Sequence, residues 1–362
     1  MTGAKKILKK FHYMARYKEY GYDIQDGKAI IPEWETEIKE GAFVVCKELT
    51  SVELPQWIKK IGKEAFYGCE NLTDITLPEW VEEIENWAFS GCSSLTNITI
   101  PPSVTEIGYF AFSGCESLTS ITIPESVTKI GGCAFRGCSG LTSITIPESV
   151  TKIGGYAFAW CSSLTGISIP DSVTKIEEWA FSCCSSLTGI TIPESVTKIE
   201  EWAFCACSSL TSISIPESVT EIGYWAFSGC SSLTSISVSK DNKVYDSRED
   251  CNAIIHTESN TLISGCKNTT IPPSVTEIGG WAFFGCKSLT SITIPPSVTE
   301  IGKYAFKDCS SLTSITIPES VTEICGGAFS YCSSLTEVRI PKGCNVDEDA
   351  FSNCPNVQII RY

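Results

Sequence analysis

Cys184 to Phe204 reads CSSLTGITIPESVTKIEEWAF. Taken 23 residues earlier, from Cys161, the chain reads CSSLTGISIPDSVTKIEEWAF, and from Cys207 it reads CSSLTSISIPESVTEIGYWAF. The repeat runs almost end to end. Prolines keep its beat at Pro32, Pro55, Pro78, Pro101, Pro124, Pro147, Pro170, Pro193 and Pro216. Ser239 stands where the next is due, and the beat resumes at Pro272, Pro295, Pro318 and Pro341. A fixed short period in a 362-residue chain implies one array of stacked units, about 14 rungs of 23 residues, in place of two ordinary domains.

Within the unit, L-T-x-I-x-I alternates at strand spacing with β-branched residues inward, and Pro ends the strand because it has no donor for a ladder. The remainder, SVTKIGGYAF in one rung, is short and Gly-rich, so the expectation is an irregular or 3₁₀ return. Each rung then offers one short strand and eight inward apolar positions that only stacking buries. Residues 1–22 lie outside the repeat. Ile7, Leu8, Phe11 and Met14 follow helical spacing beside Lys5, Lys6, Lys9 and Lys10, which predicts a basic N-terminal capping helix.

Of 20 Cys, 13 occupy one register: every 23 residues from Cys46 to Cys230, then Cys286, Cys309, Cys332 and Cys354. A residue placed once per rung faces its own copy, and free Cys behaves as a small buried hydrophobe, so a thiol column is expected in preference to a disulfide or metal framework. The seven others are Cys133, Cys183, Cys205, Cys251, Cys266, Cys325 and Cys344. Cys251 and Cys266 are candidates to pair in an oxidising compartment.

The unit L-x-x-I-x-I-P-x-x-V-x-x-I-x-x-x-A-F-x-x-C resembles the BspA-like, Treponema-type leucine-rich repeat from about residue 23 to 362. The stretch ISVSKDNKVYDSREDCNAIIHTESNTLISGCKNTTIPPSVTEIG resembles that family's long repeat, in which an N-x-x-Y segment leads into a hairpin. The resemblance implies an α/β leucine-rich repeat solenoid with a parallel sheet on the concave face and short returns on the convex one. The segments expected are a cap over 1–22, repeats over 23–238, a hairpin-like insertion over 239–262, and repeats with a C-terminal cap over 263–362. It also implies a non-enzymatic protein-interaction scaffold that binds host or matrix proteins in adhesion. Family members suggest the cell surface or secretion. The N-terminus, broken by Lys9, Lys10, His12 and Arg16, lacks the apolar core of a secretory signal, which leaves the cytoplasm as the alternative, with an intracellular adaptor or a plain spacer as the competing roles.

Composition narrows the partners. A net charge of −15 removes the counterion-release drive toward nucleic acid, and no apolar run reaches the length of a membrane span. Only two His occur, His12 and His256, and no phosphate loop, dinucleotide fingerprint or paired-carboxylate pattern is present. No cofactor, metal or catalytic residue is expected.

Surface columns remain. The residue before each Ala-Phe gives an aromatic column: Trp87, Phe110, Tyr156, Trp179, Trp202, Trp225, Trp281 and Tyr304, interrupted by Cys133. Its rings either stack between rungs or anchor a partner, and one column can do both. Strand alternation gives an outward hydroxyl face that includes Ser120, Thr122, Ser143, Thr145, Ser212, Ser214, Ser314 and Thr316. That face is either a solvated β-surface or a polar recognition face. A third column carries Lys129, Lys152, Lys175 and Lys198, for which the acids after proline (Glu125, Glu148, Asp171 and Glu194) are the expected neutralising partners.

Overall fold

The computed structural model describes residues 16–362. The chain forms two compact units, up to Ser185 and from Ser186. In the first, the L-T-x-I-x-I segments form short parallel strands such as Ser51–Glu53, Asn97–Thr99 and Ser120–Thr122. Each is displaced 23 residues from its partner: Ser120 faces Asn97 and Ile121 faces Ile98.

Each rung carries a second strand, which corrects the expected irregular return. Glu37–Ile38, Lys60–Ile61, Glu83–Ile84, Glu106–Ile107, Lys129–Ile130 and Lys152–Ile153 form a six-stranded parallel sheet in chain order. Two residues are too few to show period-2 alternation, so the sequence hides this strand. It forms because Val127 and Ile130 both turn inward and leave Thr128 and Lys129 to continue the ladder outside. At the Ala-Phe corner a third ladder appears. The amides of Phe66, Phe89, Phe112 and Phe135 donate to the carbonyls of Ala88, Ala111, Ala134 and Ala157 in the next rung, each at 2.8 Å. Among the described residues the helical segments are two 3₁₀ turns, Tyr17–Tyr20 and Arg248–Asp250, so the fold is a β-solenoid and the α/β label is dropped.

The capping helix expected over 1–22 falls largely outside the described residues. Residues 16–22 hold the Tyr17–Tyr20 turn, closed by Gly21 in the left-handed region, and a hairpin of Asp23–Gln25 with Lys28–Ile30 follows. The rings of Tyr17 and Tyr22 stack on Phe43 at 5.7 and 5.8 Å, covering the first member of the core ladder.

That ladder is Phe43, Phe66, Phe89, Phe112, Phe135, Phe158 and Phe181, with centroids 5.2–5.6 Å apart and planes within 8°. Beside it runs the thiol column, buried throughout and free of disulfides. From Cys69 onward in this unit, thiols donate to a Phe carbonyl 26 residues back: Cys69 to Phe43, Cys92 to Phe66, Cys115 to Phe89 and Cys138 to Phe112, at 3.0–3.2 Å. A methyl group would fill this space but leave the second lone pair of that carbonyl without a donor, which gives Cys a reason to recur. Burial pushes these thiols up, Cys138 and Cys184 to about 12.

The second unit repeats the design, with Phe204 on Phe227 at 5.5 Å and Phe283, Phe306, Phe329 and Phe351 stacked at 4.8–5.2 Å. Its insertion folds as Tyr245–Asp246, Ala253–His256 and Thr261–Gly265, each antiparallel to the next, and Thr261 then pairs in parallel with Glu277 to re-enter the ladder. Asn242 and Tyr245 fasten it. The buried Asn242 amide donates to the carbonyls of Pro216 and Val219 and accepts from the amides of Val244 and Tyr245, while the Tyr245 hydroxyl accepts from the Ile222 amide. Cys251 and Cys266, candidates for a disulfide, are buried free thiols. They turn to different carbonyls, Ala253 and Asn252.

Candidate interaction surfaces

All eight members of the aromatic column are half-buried, and all share a backbone feature the sequence does not show. Trp87, Phe110, Tyr156, Trp179, Trp202, Trp225, Trp281 and Tyr304 have φ between 56° and 64°, the left-handed region. That conformation costs an L-residue about 1–2 kcal/mol, yet it recurs because it turns the amide toward the next rung. Trp87 donates to Tyr109 at 2.8 Å and Phe110 to Gly132 at 3.0 Å. Gly41 and Gly327 occupy the same register, so bulky rings are not required by the turn. Gly327 is in turn obligatory, since a Cβ there would lie 2.2 Å from the Tyr304 ring.

In the first unit Trp87 stacks on Phe110 at 5.3 Å, and Tyr156 stacks on Trp179 at 5.5 Å. Trp160, outside the expected column, stacks against both Tyr156 and Trp179 and carries the Arg136 guanidinium over its ring at 4.8 Å. In the second unit Trp202 stacks on Trp225 at 4.6 Å, Trp281 meets Trp225 edge-on at 5.4 Å, and Tyr304 follows at 4.6 Å. Stacking and partial exposure therefore coexist.

Ser120, Thr122, Ser143, Thr145, Ser212, Ser214, Ser314 and Thr316 are all exposed, and none of their hydroxyls forms a hydrogen bond among the described residues. The threonines one residue before the strand behave differently. Thr73, Thr142 and Thr211 donate to the carbonyls of Thr50, Thr119 and Thr188, a ladder with the period of the repeat. The expected neutralisation of the Lys column is corrected. Lys129 pairs with Glu106 at 2.5 Å, Lys175 with Glu177 at 3.0 Å and Lys198 with Glu221 at 2.6 Å, whereas the acids after proline form no ion pair among the described residues.

The insertion adds a cavity of about 280 Å³ lined by Trp225, Trp281, Thr261, Ser264 and Glu277. The buried Trp225 indole N–H beside it has no acceptor among the described residues. His256 bonds to a lining residue, with Ser259 Oγ at 2.9 Å from Nδ1, and Ser259 leads through Thr261 to Glu277. The Ser259 amide donates to the same ring nitrogen, which makes this contact a tie across the hairpin turn. No group of three or more metal-ligating side chains occurs among the described residues, and no helix there is long and apolar enough to cross a membrane.

One further feature escaped the sequence columns because it occupies only three rungs. Trp34, Trp57 and Trp80 follow Pro32, Pro55 and Pro78 by two residues and are 80%, 55% and 61% exposed. The signal was legible as P-x-W at the repeat's own period.

The model of the BspA type leucine rich repeat region matches residues 25–142, 128–251 and 259–362. Among solved structures, the chain is 34% identical to a leucine rich cell surface protein from Faecalibacterium prausnitzii, covering 80% of this chain and 87% of that one with a TM-score of 0.60. It is 30% identical to a leucine-rich repeat protein from Bacteroides ovatus, covering 93% and 92% with a TM-score of 0.54. The pneumococcal vaccine antigen PcpA, 23% identical over 73% and 72% with a TM-score of 0.56, shares the fold. No curated protein matches. The 23-residue rung, its Phe and Cys ladders and these matches agree: the chain belongs to the BspA-type leucine-rich repeat family.

Proposed function

We propose that the chain is an adhesive scaffold that binds host or matrix proteins through its half-buried aromatic column. Repeats of this family generally serve as non-enzymatic interaction scaffolds, and the relative at 34% identity is a leucine rich cell surface protein. One observation carries the proposal: bulky rings are kept at a left-handed backbone position where Gly41 and Gly327 show that glycine suffices. The left-handed turn itself belongs to the corner, since Glu64 and Cys133 share it, so it is the choice of rings there that supports the reading: rigid aromatic anchors dominate binding energy where they meet a partner.

The test is binding to a panel of immobilised extracellular-matrix proteins. Wild type is compared with a Trp202→Gly, Trp225→Gly, Trp281→Gly variant whose urea midpoint confirms folding. Loss of a partner in the variant supports the proposal. Equal binding moves the site to the hydroxyl face or the insertion, and no binding by either protein favours a plain spacer.

A further inference from the structure

We propose that Trp34, Trp57 and Trp80 form a second, separate site that binds a neutral β-linked oligosaccharide along the rungs. The register of these residues supplies an internal control. In later rungs the second residue after proline is usually Ser, and in five of them its hydroxyl donates to a Val carbonyl in the preceding rung: Ser126 to Val104, Ser149 to Val127, Ser172 to Val150, Ser218 to Val196 and Ser297 to Val275, at 2.6–2.7 Å; Ser103 donates to Glu79 in place of a Val, and Ser320 has no partner among the described residues. Three consecutive rungs give up that bond for tryptophans that gain little packing. All three are exposed, and none has a ring contact or an indole hydrogen bond among the described residues. Stability does not explain the exchange.

The chemistry around the ridge selects its ligand. A shallow groove of about 520 Å³ runs beside it, lined by Lys28, Ser51, Glu53, Gln56, Asp74 and Thr76. Gln56 adjoins Trp57, and Glu33 and Glu79 adjoin Trp34 and Trp80 in the chain. Indole faces take the CH-bearing faces of pyranose rings, while carboxylates and amides take their hydroxyls. The surrounding carboxylates and the net charge of −15 disfavour anionic polysaccharides and anionic membranes. A protein hot spot sits within an apolar, water-excluding surround, whereas the groove beside these rings mixes charged and polar groups with the apolar Val52, Leu54 and Pro78. The three rings recur once per rung, so an extended ligand can meet more than one of them.

Isothermal titration with cellohexaose and laminarihexaose tests this, with cellobiose and laminaribiose as length controls. The variants are Trp34→Ser, Trp57→Ser, Trp80→Ser and the triple, each restoring the residue that the register uses elsewhere. A hexasaccharide is expected to bind at least about tenfold more tightly than its disaccharide, because it spans more than one ring. Each single variant loses about three- to tenfold, and the triple variant loses detectable binding with its urea midpoint kept. If the triple variant shifts that midpoint, the three single variants carry the same comparison.

Absence of binding by both hexasaccharides at millimolar concentration overturns the assignment, as does undiminished binding in the triple variant. A matrix protein that the triple variant ceases to bind, with no oligosaccharide bound by wild type, makes the ridge a protein contact and also overturns it. The glycine variants of the aromatic column leave this ridge intact, so failure of one site does not mimic failure of the other.

Discussion

Replacing Phe110 by Ala and by Gly should invert the usual order of those two residues. Phe110 lies at φ 56°, half-buried, its ring 5.3 Å from Trp87, with Cys133 in the following rung. Removing the ring forfeits about 1 kcal/mol for the aromatic pair and about 1 kcal/mol for a half-buried Phe. Phe110→Ala keeps the left-handed backbone and bears the whole loss, about 2 kcal/mol. Phe110→Gly bears the same loss but is relieved of about 1–2 kcal/mol of left-handed strain, against about 0.5–1 kcal/mol of extra chain entropy in the unfolded state. Gly should therefore be the more stable of the two by about 0.5–1 kcal/mol. The neighbouring Tyr109 has an ordinary negative φ and is exposed, so there Ala should exceed Gly by a similar margin. Urea midpoints at unchanged m-value read all four variants. If Phe110→Ala is as stable as Phe110→Gly, the column is not held in left-handed backbone. If Phe110→Ala costs nothing, its rings do not stack productively.

At pH 8 in the native state, a thiol reagent should label the half-buried Cys133 and Cys183 first and leave Cys92, Cys115, Cys138 and Cys161 unlabelled, while all 20 react in concentrated urea. Burial drives the four column thiols upward, so rapid labelling of Cys115 or Cys138 would refute the buried column. At Asp246, burial raises the carboxyl, but the hydrogen bonds and charge of Arg248 outweigh it and hold it below its usual range. A depressed folded pKa adds stability above the unfolded value near about 4, lost as pH falls through the folded one. Amides of Ala253–His256 should exchange faster below that pH in wild type, with no such step in Asp246→Asn. Gly265→Ala would place a Cβ 2.2 Å from the Phe283 ring and should cost about 1–3 kcal/mol by overpacking, read as a lowered thermal midpoint.

The inward half of each rung was open to reading because a buried residue that meets its own copy must repeat. Leu, Ile, Val, Ala, Phe and Cys do so, and their burial follows the repeat unit closely. The second strand was hidden because Lys129–Ile130 and its counterparts span two residues, shorter than any pattern that distinguishes strand from turn. The left-handed backbone was hidden because Trp, Phe and Tyr stand where that conformation ordinarily calls for Gly or Asn. At the candidate surfaces, residue identity placed the rings and hydroxyls on their columns. Whether Ser120 keeps a free hydroxyl while Thr142 donates to Thr119 is decided by one step of strand register, which composition does not encode.

This division shows where functional information lies in such a chain. A Thr that donates to the carbonyl 23 residues back, or a Cys that donates to the Phe 26 back, is fixed by the neighbouring rung whatever the protein binds. Identity between rungs at those positions is evidence of stacking alone. Departures from the repeat carry the opposite meaning. Where the register offers a bonded Ser and three rungs take an exposed Trp, or where glycine fits the corner and eight rungs take a strained ring, the fold gains little or loses. Trp34, Trp57 and Trp80 give up an inter-rung bond without gaining a packed ring, whereas the aromatic column gains stacking that offsets part of its strain. The ridge is thus the purer functional signal of the two, and its serine variants should separate binding from stability more cleanly than any change in the column.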